Sequence, residues 1–292
     1  MHPHRAAPET AAVTEPRSWL FVPADSERKI ARALESEADA VIFDLEDSVA
    51  PGQKAAARDI LKGLPKRSNG PEWWVRVNPL GSEFHKDDLT LIGSAYVHGI
   101  VLPKAESGAD VTELAHRTGN IPIHAIVTET AASLFGLLSY GDPKSPLAAM
   151  SWGAEDLSAA LGASSKYDAG GSLSFTYRLA RSLCLAGAVA AGAQPVDGVF
   201  ADFKDEDGLR AEAEAARREG FTGKLAIHPA QVPIINFAFT PSPGEIRHAE
   251  EIVAAFEAHP EAGVLSVGGK MVDRPHLLQA RRVLERSSQG AA

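Results

Sequence analysis

The chain has 292 residues, 45% of them apolar, and a formal net charge of −9 with a pI near 5.6. That length supports one large core or two modest ones. The acidity argues against a nucleic-acid binder, which would show a basic face, but leaves an anionic substrate open wherever an arginine or a metal reverses the local field.

Residues 1–16, rich in Pro, Ala and Thr, read as a flexible N-terminal tail. They lack the apolar stretch of a secretory signal, and no segment approaches the ~20 apolar residues of a membrane span, so a cytoplasmic location is the expectation. From Arg17 a rhythm sets in, with short apolar runs that end in polar residues and are followed by amphipathic stretches. The runs are SWLFVPA, AVIFDLED, WWVRVN, GIVLPKAE, IPIHAIVTET, AAMSWGAEDL, VDGVFADF and KLAIHPAQ. Helical patterns occupy residues 26–36, 51–64, 108–119, 175–192 and 205–220. Cys184, the single cysteine, falls in the fourth of these and reads as a small buried hydrophobe; with no second thiol there is no internal disulfide and no cysteine zinc site.

Strands alternating with helices imply parallel β/α units, and runs apolar on both faces suit a fully covered parallel sheet. Eight units over residues 17–238 match an α/β fold of the closed (β/α)8 TIM-barrel type. An open doubly wound sheet would carry a glycine fingerprint after its first strand, whereas that turn reads VPADSER. Past Phe239 come a helix opened by a capping-box pattern at Ser242 and Glu245, a short hairpin in GVLSVGGKMVD, and a last helix. Residues 239–292 form a C-terminal helical extension whose core is too small to stand alone.

Barrel strands aim their C-terminal ends at the active site. Those ends carry Asp44, Glu46 and Asp47, then Arg76 with Asn78, Lys104 with Glu106, Glu129, Glu155 with Asp156, Asp202, and His228. Clustered carboxylates repel one another and lose hydration when buried, so a cation is expected among them. Oxygen-only ligands select a hard ion, Mg²⁺ or Mn²⁺. Individually the same residues have plainer readings: Asp47 and Ser48 as a helix cap, Lys104 as a surface cation or a Schiff-base nucleophile, His228 as a core histidine ahead of a helix.

The blocks RSWLFVPA, DLEDSVAPGQKAAAR, VRVN, VLPKAE, TET, WGAEDL, DGVFADFKDEDGL, GFTGKLAIHPAQV, FTPS and GGKMVDRPHLLQA, in that order from Arg17 to Ala280, resemble the CitE-like lyases of the HpcH/HpaI aldolase superfamily. That group covers the citrate lyase β subunit, malyl-CoA lyase and citramalyl-CoA lyase. The resemblance implies a TIM barrel, Mg²⁺, a CoA thioester as part of the substrate, and a homotrimer. It implies that Glu129 and Asp156 bind the metal, that Arg76 holds the oxo-acid, and that Glu46 and Asp47 bind waters on the metal. Asp273 matches a catalytic acid/base that the extension delivers to a neighbouring subunit. Phe21, Arg32, Ile227 and His228 match positions near the CoA thioester. Ser26 stands where some members have an arginine, with Arg28 two positions on.

The activity so implied is cleavage of a citryl-, citramalyl- or malyl-CoA type thioester to acetyl-CoA and an oxo-acid. Hydrolysis of the thioester after cleavage, the β-subunit role in a citrate lyase complex acting on an acyl-carrier-protein thioester, and a metal aldolase for free oxo-acids are the alternatives. No nucleic acid or membrane partner is expected. An Asp273 serving as proton donor at neutral pH is expected to be desolvated and raised in pKa when substrate closes the site.

Overall fold

The structure, a computed structural model, describes residues 15–65, 69–93 and 96–289. Most of the expected tail, residues 1–14, lies outside these; Pro16, just inside, accepts hydrogen bonds from Trp19 Nε1 and Gln194 Nε2. Contacts divide the chain into one unit spanning Glu15–Phe237 and a second whose described part starts at Ala238.

The first unit runs β1 (Ser18–Pro23), α1 (Glu27–Leu34), β2 (Ala40–Asp44), α2 (Lys54–Lys62), β3 (Glu72–Arg76), α3 (His85–Ile92), β4 (Gly99–Leu102), α4 (Gly108–Thr118), β5 (Ile123–Ile126), α5 (Ser133–Gly136), β6 (Leu147–Ser151), α6 (Ala154–Ala160), α7 (Phe175–Ala191), β7 (Gln194–Asp197), α8 (Glu206–Glu219) and β8 (Gly223–Ala226). A further helix, α9 (Val232–Phe239), runs across the boundary between the units. The eight strands pair in parallel and in chain order, and β1 pairs with β8 to close the barrel. This is the (β/α)8 TIM barrel read from the sequence. Residues such as Val41, Val75, Ile100 and Ala125 are fully buried, as the continuous apolar runs require.

Every second strand residue turns inward. Trp19, Ala40, Ile42, Trp74, Val101, Ile126, Ala149, Val196 and Leu225 fill the barrel, with the Trp19 and Trp74 rings edge to face at 4.9 Å. Large side chains there need small neighbours. A Cβ at Gly99 would stand 2.2 Å from the Trp74 ring, so glycine at the start of β4 makes room for the indole.

Two runs end sooner than their composition suggested. AAMSWGAEDL divides into β6 and α6, which puts Glu155 and Asp156 in the first turn of a helix. VDGVFADF stops being strand at Asp197, so Asp202 lies in the following loop, where its side chain accepts from Lys204 N–H. A Cβ at Gly198 would stand 2.9 Å from Trp152 Nε1; the chain turns away there to admit that ring.

The second unit contains α10 (Pro243–Ala258), β9 (Val264–Val267), β10 (Lys270–Asp273) and α11 (Arg274–Gln289). Ser242 and Glu245 close the expected capping box. The antiparallel hairpin β9–β10 and the two helices share a small core of Ala249, Ile252, Phe256, Val267, Val272, Leu277 and Ala280. Among the described residues no helix is long and apolar enough to cross a membrane.

Candidate active site

At the C-terminal end of the barrel, Asp44 closes β2 and Arg76 closes β3, as register partners on adjacent strands. Arg76 donates from Nε to Asp44 Oδ1 and from Nη2 to Oδ2, both at 2.7 Å. The same carboxylate accepts from the backbone N–H of Glu46 and of Ser48, which bends the chain after β2 into a tight polar turn. Lys54, buried on α2, holds that turn from behind by donating to the Leu45 and Glu46 carbonyls. Burial works against ionisation of both partners, yet their mutual attraction wins: Asp44 falls below the usual carboxylate range and Arg76 rises.

Lys104 organises the other acids. Its ammonium lies 2.5 Å from Glu46 Oε1, 3.2 Å from Asp47 Oδ2 and 3.3 Å from Asp156 Oδ1. Its backbone N–H donates to Glu129 Oε2 at 2.5 Å. With φ +53°, it is the one non-glycine among the described residues in the left-handed region, a conformation that costs about 1–2 kcal/mol and recurs at functional sites. Burial opposes its charge, but Glu46 and then the other acids outweigh it and raise its pKa. Held among three carboxylates, Lys104 is not the free surface cation of the plain reading. Nor does Asp47 cap a helix: the turn at Pro51–Gln53 has no side-chain cap.

Glu46 Oε2 stands 2.9 Å from Arg76 Nη1 but is not aligned for a hydrogen bond. Burial dominates at Glu46 and raises its pKa despite Arg76 and Lys104. Glu129 is 97% buried behind Gly153, where a Cβ would stand 2.7 Å from its Cγ. Burial, then the Asp156 charge, pushes its carboxyl up to about 8.

These groups open on a cavity of about 310 Å³. Its lining is divided in character: Asp44, Asp47, Ser48, Arg76, Glu129, Glu155 and Asp156 are polar, while Phe21, Pro23, Ile126, Trp152, Val199, Leu225 and Ile227 are apolar. The Phe21 ring lies 4.8 Å under the Arg76 guanidinium. Trp152 is fixed by a buried network in which its Nε1 donates to Asp197 Oδ1, Arg181 Nε donates to the same oxygen, and fully buried Lys224 donates to Asp197 Oδ2, Gly198 O and Glu212 Oε1.

Of the residues singled out from sequence, Phe21, Asp47, Arg76, Glu129, Asp156 and Ile227 line this cavity, and Glu46 joins it through Arg76 and Lys104. His228 lies beside it: the ring stacks on Phe203 at 4.7 Å and caps the turn Pro229–Gln231. Arg32 is exposed in the last turn of α1. Ser26 caps the same helix by accepting from Lys29 N–H, a role an arginine there would not fill. Asp273 belongs to the second unit, half-buried and paired with His276 Nδ1 at 2.5 Å, a hydrogen bond that lowers its pKa. Trp152 and the Asp197–Lys224 pair carried no sequence signal of their own.

Among the described residues no three His, Cys, Asp or Glu are arranged to enclose a metal. Mg²⁺ needs no such cage; it takes one or two carboxylates and completes its octahedron with water and substrate oxygens. Glu129 and Asp156 fit that demand: both face the cavity, and their repulsion calls for a cation.

The HpcH/HpaI aldolase/citrate lyase family profile matches residues 17–229. The chain is 37% identical to the (3S)-malyl-CoA thioesterase of Cereibacter sphaeroides, covering 94% of this chain and 96% of that protein. It is 33% identical to the mitochondrial citramalyl-CoA lyase of Rattus norvegicus, over 92% of this chain and 85% of that one. The crystal structure of CitE from Mycobacterium tuberculosis in complex with magnesium, acetoacetate and coenzyme A superposes with a TM-score of 0.81 at 37% identity, covering 94% of this chain and 99% of that chain.

Proposed function

We propose, from the premise that this chain belongs to the HpcH/HpaI aldolase/citrate lyase family, that it is a Mg²⁺-dependent carbon–carbon lyase. It cleaves a citryl-, citramalyl- or malyl-CoA type thioester to acetyl-CoA and an oxo-acid. The observation that carries this reading is a single cavity where Arg76, locked by Asp44, faces the same space as Glu129 and Asp156. Magnesium and coenzyme A in the CitE complex support the cofactor and the substrate class.

Glu129 and Asp156 would hold the ion, with Glu46 and Asp47 holding waters around it. Bound there, the ion supplies Lewis-acid polarisation of the oxygen that becomes the ketone. Arg76 orients the adjacent carboxylate of the substrate through its free N–H groups. The bond between the thioester α-carbon and the carbinol carbon breaks, and its electron pair goes to the α-carbon as the acetyl-CoA enolate. The carbinol oxygen becomes the keto oxygen as its proton passes to solvent. Asp273, from the extension of a neighbouring subunit in a homotrimer, gives the α-carbon its proton; in condensation the same carboxylate removes it. Phe21, Arg32, Ile227 and His228 would lie near the CoA thioester.

Incubation with Mg²⁺ and the three thioesters, with the released oxo-acid identified, tests the proposal. Release should stop on EDTA addition; no release from any of the three would end it. Thioester hydrolysis after cleavage is the second reading, favoured by the likeness to the malyl-CoA thioesterase, and would appear as free CoA.

A further inference from the structure

Resting on the reading that Glu129 and Asp156 hold the magnesium ion, we propose that Lys104 sets how tightly they hold it. Its ammonium is a fixed positive charge built into the ion's own carboxylate set. It keeps Mg²⁺ more weakly bound than the same carboxylates would hold it alone.

Lys104 touches every acid assigned to the ion or to its waters. Its ammonium lies 2.5 Å from Glu46 Oε1, 3.2 Å from Asp47 Oδ2 and 3.3 Å from Asp156 Oδ1, and its backbone N–H donates to Glu129 Oε2 at 2.5 Å. Arg76 is already taken up by Asp44 through two hydrogen bonds, with Glu46 beside its Nη1. A divalent ion on Asp156 therefore shares that carboxylate with the ammonium. Neither side chain is fully exposed, so solvent screens the repulsion between the two cations only in part.

The backbone separates two roles of the same residue. With φ +53°, Lys104 holds a conformation that glycine adopts freely and lysine only under strain. Glycine there would donate the same N–H to Glu129, so what the strain retains is the ammonium.

The carboxylates themselves are placed by other groups. Glu129 is buried behind Gly153 and keeps the N–H of residue 104 whatever its side chain. Asp156 sits in the first turn of α6. Glu46 stays beside Arg76, on a turn held by Asp44 and Lys54. Asp47, the most exposed of the four, returns to water when the ammonium goes. Lys104 thus supplies charge rather than shape, and the sign of its effect follows: Mg²⁺ affinity rises when the charge is removed. A lysine that held the acids together for the ion would give the opposite sign.

The test titrates Mg²⁺ calorimetrically, with no thioester or oxo-acid present, into wild type, Lys104→Gly and Lys104→Gln. The glycine removes charge and strain together; the glutamine removes the charge and keeps the strain. Both should bind Mg²⁺ about tenfold or more tighter than wild type. Thermal unfolding in EDTA and in Mg²⁺ gives a second readout: the ion should raise the melting temperature of the variants by more than it raises that of wild type. Where a variant folds only with Mg²⁺, the dependence of its unfolding on Mg²⁺ concentration supplies the affinity. Unchanged or weakened affinity in a folded variant overturns the proposal and leaves the metal reading standing. A gain confined to Lys104→Gly also overturns it, because release of strain then explains the gain. Failure of both variants to fold, with and without Mg²⁺, overturns it as well, since the lysine is then structural. Wild-type protein that binds no Mg²⁺ ends the metal reading, and this inference with it.

Discussion

Asp44 and Arg76 face each other across neighbouring strands at equivalent register and join through two parallel hydrogen bonds of 2.7 Å. The pair fixes the direction of the guanidinium before any substrate arrives, which is how a charged group contributes to a transition state without reorganising. Arg76→Lys keeps the charge and loses the fork. It should lower kcat/KM about a hundredfold or more, as removal of a preorganised donor does. Asp44→Asn should lower stability by about 3 kcal/mol, because it removes the charge of the carboxylate that holds the buried guanidinium at two points and leaves Glu46 alone beside it. Steady-state kinetics and urea unfolding read the two effects; an Arg76→Lys enzyme with near wild-type kcat/KM would remove the arginine from the proposed chemistry.

Glu129→Gln and Asp156→Asn should each weaken Mg²⁺ binding at least about tenfold in calorimetric titration, since a divalent ion held by two carboxylates loses half its anionic ligands. Dialysis against EDTA should abolish turnover, and Mg²⁺ should restore it. Unaltered Mg²⁺ affinity in both variants would place the ion elsewhere.

Asp273→Asn should eliminate turnover while Mg²⁺ affinity stays close to wild type. Mixing this variant with Glu129→Gln subunits should recover part of the activity if the acid acts in a neighbour's site, because some mixed assemblies then contain one intact combination. Absence of recovery in assemblies shown to be mixed would argue against delivery across subunits.

The acid limb of stability should carry the signature of Asp197. Burial raises its pKa, but Lys224 and Arg181 outweigh burial and hold it at about 2, below the ~3.9 of an unfolded aspartate. A depressed folded pKa contributes stability that is fully present above the unfolded value and is lost as pH falls from about 4 towards 2. The contribution is on the order of 2 kcal/mol. Asp197→Asn should destabilise by about 3–5 kcal/mol near neutrality and flatten that part of the curve. Unfolding free energies measured from pH 6 downward test both statements.

Gly99→Ala should cost about 1–3 kcal/mol, because the new methyl would meet the Trp74 ring inside the barrel. Thermal unfolding that matches wild type would mean the ring moves freely.

The barrel was legible because its signal is periodic. Runs such as AVIFD and GIVL need no partner information to read as strands covered on both faces. Asp202 misled because the apolar letters of VDGVFADF continue past the strand, and the turn at Gly198 depends on where Trp152 packs. The Asp44–Arg76 pair joins residues 32 apart and exists because β2 and β3 meet in one register, which composition does not encode. Lys224 reads as an ordinary cation at the start of a strand; its complete burial follows from Asp197 arriving beside it on β7. Lys104 was visible as a charge, but its double grip through N–H and ammonium depends on a left-handed backbone that no residue type announces.

Trp152 has an optical consequence. Of the four tryptophans it alone lines the cavity, while Trp19 and Trp74 are sealed inside the barrel and Trp73 packs on Phe43 and Tyr96. Its indole is clamped, so ligand entry would change the dielectric around the ring rather than its orientation. The protein thus carries a built-in fluorophore whose emission colour and quenching report occupancy of the cavity, readable without a coupled assay or an attached dye.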